Sequence, residues 1–259
     1  MHLRAGFPFS SHLPLAEDLP PLPEPHASQL LYTSQTKVLR ALSQSEQWTW
    51  CEIRPDLIIG FVPNNNPHCL PQVLGIYLTL YRVIEGEGST IAFPGSVGAY
   101  NAKFVPASQD TIAKFSIYAS LHLDSMGGGT AFNVGDRDEP TSWSTIWPTV
   151  CSIFGLRGIG PLIAAEQPVD YIQEHWQEWE NITHTYGLRA GFADNPLLNP
   201  LIFRFMAGLM NFNRQLSLEK SHRAGFVEQL DEDEAWFTVF QRLVDAKIIP
   251  GGLIHPGKR

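Results

Sequence analysis

Residues 32–44 read YTSQTKVLRALSQ, and residues 48–66 read WTWCEIRPDLIIGFVPNNN. The first segment has a helical period. Leu31, Val38, Leu39 and Leu42 fall on one side, while Gln35 and Arg40 fall elsewhere. Ser28 is suited to cap it, which predicts a helix over 28–43 with Tyr32 near its start. The second segment, 48–61, reads as a buried strand and its continuation, interrupted by Arg54-Pro55 and closed by the turn cluster 63–67. A helix leading into a strand is the repeating unit of an α/β fold. The turn-rich loop after the strand is where chemistry is expected.

Toward the N-terminus, Pro8, Pro14, Pro20, Pro21, Pro23 and Pro25 forbid a helix or a central strand. A domain rarely opens on so long a loop, so the chain reads as one met partway through. Toward the C-terminus, Pro71 opens a helix that is apolar on all sides, from Val73 to Val83. Strands are expected at 91–93 and 131–134, with a loop at Gly127 to Gly129. Ser108 should cap a helix ending near His122, and Ser142 one ending at Phe154 before Gly155. Beyond Gly160 the pattern is helical, over 168–186, 200–216 and 231–246. Four acids, Asp231 to Glu234, suit the last of these N-termini.

The chain has 259 residues, 44% of them hydrophobic, with seven Trp, enough for a substantial core. A net charge of -8 argues against a nucleic-acid surface. No apolar run is long enough to span a bilayer, and no secretion signal is evident, so a cytoplasmic protein with a small-molecule partner is expected. The composition leaves a homodimer open. Cys51, Cys69 and Cys151 are too widely spaced for a disulfide framework or a zinc site, so no metal is expected. Gly155-Leu-Arg-Gly158-Ile-Gly160 has its glycines in the wrong order and follows a helix, unlike a dinucleotide fingerprint. Tyr32 has two readings: a half-buried helix-start tyrosine, or a hydrogen-bond donor to substrate. Lys37 lies one residue beyond the fourth position after it and turns away.

Five segments carry a resemblance: EDLPPLPEP (17–25), LLYTSQTKVL (30–39), WTWCEIRPDLIIGF (48–61), FPGS (93–96) and FNVGDRDEPTSW (132–143). In order and spacing they resemble the progesterone 5β-reductase and iridoid synthase-like reductases, atypical extended short-chain dehydrogenases. The resemblance implies a partial Rossmann-type sheet, with the N-terminal cofactor half missing, and a mainly helical substrate-binding lobe. Residues 1–66 would be the Rossmann remnant and 67–259 the lobe. It implies an NADPH-linked oxidoreductase acting on an apolar enone or carbonyl compound of specialised metabolism. Tyr32 would stabilise the developing enolate oxygen, and Ile58, Asn66, Pro67 and His68 would line the nicotinamide side. The resemblance places the glycine-rich phosphate loop and the catalytic Lys upstream of Met1. Two alternatives follow for the chain by itself: a cofactor-free binding protein or isomerase, or an incomplete gene product.

Overall fold

In the computed structural model, residues 12–20, 22–63, 69–163, 165, 167–191 and 205–255 are described. The elements, in chain order, are α1 (His26–Gln29), α2 (Leu31–Ser43), β1 (Cys51–Arg54), β2 (Ile58–Ile59), α3 (Leu70–Glu85), β3 (Thr90–Ala92), α4 (Val97–Asn101), β4 (Ala107–Ser108), α5 (Gln109–Leu121), α6 (Leu123–Met126) and β5 (Thr130–Asn133). They continue with α7 (Trp143–Ile153), β6 (Arg157–Ile159), α8 (Pro168–Glu174), α9 (Trp176–Tyr186), α10 (Glu219–Arg223) and α11 (Glu232–Asp245). The chain folds as two interleaved units, residues 1–58, 104–140 and 213–229 in the first and the remaining three segments in the second. The expected boundary at 66/67 lies outside the described residues.

The first unit is built on a parallel pair of strands. β1 and β5 run in register from Cys51 opposite Thr130 to Arg54 opposite Asn133. α5 covers the pair through Phe115 and Ala119, which join Ala107, Met126, Phe132, Val134 and Phe226 in one core. Phe115 meets Phe226 edge-on, with ring centroids 4.9 Å apart. Ser108 caps α5 by accepting a hydrogen bond from Thr111 N, as its spacing predicts. The glycine loop before β5 is a built turn, with φ of +72° at Gly128 and +71° at Gly129. A Cβ on Gly129 would also meet the Trp50 ring at 2.9 Å.

The start of α2 differs from expectation. Ser28 lies in the separate turn α1, and its hydroxyl donates to Pro25 O. Leu30, in an extended conformation, begins α2 without a side-chain cap. Glu24 takes the Ser28 N–H instead, so the local polar groups complete a turn one step early.

In the second unit α3 is the central element. Every residue from Leu70 to Leu80 is buried, as its all-round apolar pattern requires. Only its last turn emerges, with Val83 exposed. Beside it, Phe93, Trp143, Trp147, Trp236 and Phe240 are wholly buried. β3 pairs in parallel with β6, a strand that has no counterpart among the elements expected from the sequence. The helix expected over 168–186 is broken at His175 into α8 and α9. The expected helix over 200–216 begins outside the described residues; from Phe205 there is one π-helical turn to Leu209, and no helix follows to Leu216. Asp231 caps α11 by accepting from the N–H groups of Asp233 and Glu234.

Candidate functional site

In open α/β sheets ligands sit outside the carboxyl ends of the strands. In the first unit those ends are Arg54 on β1 and Asn133 on β5. Three buried polar fastenings define the ground around them, and none is apparent in the sequence.

The first is at the β1 exit. Arg214 Nε donates to Asp56 Oδ1 at 3.0 Å and lies 2.8 Å from Oδ2 as an ion pair. Its guanidinium lies 4.5 Å from the centre of the Phe104 ring. Burial pushes the Asp56 carboxyl above its ordinary value, against the pull of the adjacent Arg214 charge.

The second is Asp136, wholly buried beyond β5. Its carboxylate accepts from Ser108 N at 2.8 Å and 2.9 Å and from the Thr111 hydroxyl at 2.6 Å. Burial again raises the carboxyl, and these bonds only partly offset it. The charged run 136–139 therefore has a buried first member: a short polar loop must satisfy the N-terminus of α5, and Asp136 is within reach.

The third is Asn133. Its backbone N–H donates to Glu17 Oε1 at 2.6 Å, and its amide donates to Leu15 O at 2.8 Å and Ser217 O at 3.1 Å. Glu17 thus ties the Pro-rich segment to β5. A cleft of about 530 Å³ opens nearby between Pro14, Asp138, Leu216 and His222.

Tyr32 is the second residue of α2 and 71% exposed, which sets aside the half-buried reading. Among the described residues nothing bonds its hydroxyl. Ile58 projects from β2 at 48% exposure, between buried Leu57 and Ile59. Asn66, Pro67 and His68 lie outside the described residues.

Ile58 is an exposed apolar residue at a strand exit, a kind of surface on which a flat aromatic ring can stack. The phosphate part of a dinucleotide does not fit Gly155 to Gly160. A Cβ on Gly158 would meet Cys151 Sγ and the Trp147 side chain at 2.9 Å, so this glycine allows close packing. Among the described residues no group of three or more His, Cys, Asp or Glu could hold a metal ion. No described helix is long and apolar enough to cross a membrane.

A family model described as a PRISE-like Rossmann-fold domain matches residues 1–250. The short chain dehydrogenase sirR of Leptosphaeria maculans is 32% identical, over 95% of this chain and 64% of its own length. The short chain dehydrogenase ausT of Aspergillus calidoustus is also 32% identical, over 95% of this chain and 60% of its own. The (S)-8-oxocitronellyl enol synthase ISY2 of Nepeta cataria is 26% identical, over 95% of this chain and 59% of its own. The chain thus spans about six tenths of the length of these relatives.

Proposed function

We propose a function from what the match shows plainly: the chain belongs to the family of PRISE-like Rossmann-fold domains. The whole protein is an oxidoreductase of specialised metabolism that reduces an enone or related carbonyl group on an apolar small molecule. NADPH, when bound, supplies the hydride. Tyr32 donates its phenolic hydrogen to the substrate oxygen on which charge develops. Ile58 packs against the nicotinamide face, and the resemblance assigns Asn66, Pro67 and His68 to the same ring. The match over residues 1–250 carries this reading. The exposed Tyr32 hydroxyl supports it, because a donor already bonded within the protein would have nothing to offer a substrate.

Removing one such donor costs on the order of 3 kcal/mol, a hundredfold or more in rate. Tyr32→Phe keeps the ring and loses only an exposed hydroxyl, so the melting temperature should not move. The assay uses protein made from the complete coding sequence, including any upstream of Met1, with NADPH and an enone. A Tyr32→Phe variant as fast as its parent would remove Tyr32 from the chemistry.

A further inference from the structure

Leu57 and Ile59 are buried, and Ile58 between them points out. The Ile58 side chain therefore goes where the backbone of 54–58 directs it. Beyond the β1–β5 pairing at Arg54, two contacts act on residues 56 and 57 in the first unit. Leu57 O accepts from Ala107 N at 2.9 Å. Asp56 Oδ1 accepts a hydrogen bond from Arg214 Nε, and the two side chains form a buried ion pair. Arg214 is 4% exposed and lies against the Phe104 ring, so its planar head keeps one orientation.

A buried ion pair is weak evidence for stability. Withdrawing both charges from water costs several kcal/mol per ion, and an apolar pair of similar volume often holds as well or better. What apolar packing lacks is direction. Two leucines can slide past each other and still pack, whereas a charge-assisted N–H to a carboxylate fixes both distance and angle.

We propose that Asp56 and Arg214 are a positioning pair that sets the β1 exit, so that Ile58 meets the nicotinamide end of the dinucleotide at a fixed place. This rests on the nicotinamide reading above. Both residues act through the backbone of 56–58. Arg214 arrives from the far end of the chain, which makes the C-terminal segment a support for the cofactor wall.

The test is saturation-transfer NMR on the 259-residue chain with NADPH in excess, which reads weak binding. The nicotinamide protons of NADPH should take up more saturation than its adenine protons, because the β1 exit serves that end. The double variant Asp56→Leu with Arg214→Leu removes the charges together and leaves no buried ion unpaired. It should melt within about 4 °C of the parent. Its nicotinamide-to-adenine ratio should nonetheless fall at least about threefold, since a wall left without its support loses precise placement. Arg214→Lys keeps the charge without the planar fork and should give an intermediate ratio. It also decides the matter alone if the double variant does not fold. Folded variants with the parent's ratio would overturn the positioning role and leave the cofactor reading standing. No nicotinamide excess in the parent would sink the cofactor reading, and the positioning role with it.

Discussion

Asp136 shows why a single residue can outweigh its motif. The sequence presents it as the first of several acids in a loop, and nothing local marks it as buried. Its partners, Ser108 and Thr111, lie 28 and 25 residues away. The same limit applies to Asp56 and Arg214, 158 residues apart. Ser108 as a cap was legible because its partner is three residues on. Asp136 also makes a pH prediction. Burial holds its folded value above the ordinary 3.8. Between those two values the folded state binds more protons than the unfolded state, so stability falls as pH rises through that window. Asp136→Asn removes the titration, so the decline in stability over that range should become shallower. It also turns an amide N–H₂ toward the Ser108 N–H, at a cost of about 1–3 kcal/mol near neutral pH. Urea denaturation at a series of pH values measures both. An unchanged pH slope would show that another group titrates.

At the scale of elements, α2 and α3 were equally legible as helices and differ in what surrounds them. Both patterns are strong, yet α3 has eleven buried residues and α2 has none. Periodicity reports which side of a helix wants a partner, not whether one is present. Leu31, Val38 and Leu42 are each more than half exposed. β6 went unread for the opposite reason: Arg157–Ile159 is too short to show alternation, and its pairing with β3 is a tertiary fact. An isolated helix of this length is marginal in water. In dilute solution α2 should open locally and exchange its amide hydrogens at least about a hundredfold faster than α3, a difference near 3 kcal/mol in opening free energy. Hydrogen exchange read by mass spectrometry checks this. Equal protection of the two helices would mean that α2 is covered.

At the scale of the molecule, the α/β class and the Rossmann-like family were legible because strands, helices and several motifs recur in order along the chain. The interleaving was not, since each unit draws on three separated segments that no local signal connects. Among the described residues β1 has a single strand partner, β5, so its other edge has no strand beside it. An open strand edge and an apolar helix face are both sites of association. The face of α2 adds Trp48 nearby, 42% exposed, to the three aliphatic side chains. The 259-residue chain should therefore self-associate as its concentration rises. Amide protection of α2 should rise with it, because association covers that face. Replacing Leu31, Val38 and Leu42 together by Lys or Glu should suppress association without lowering the melting temperature, since none of the three contributes to a core. Sedimentation velocity over a concentration series measures the parent and the triple variant side by side. A parent that stays a monodisperse monomer, with α2 exchanging freely throughout, would show that neither the edge nor the face draws a partner.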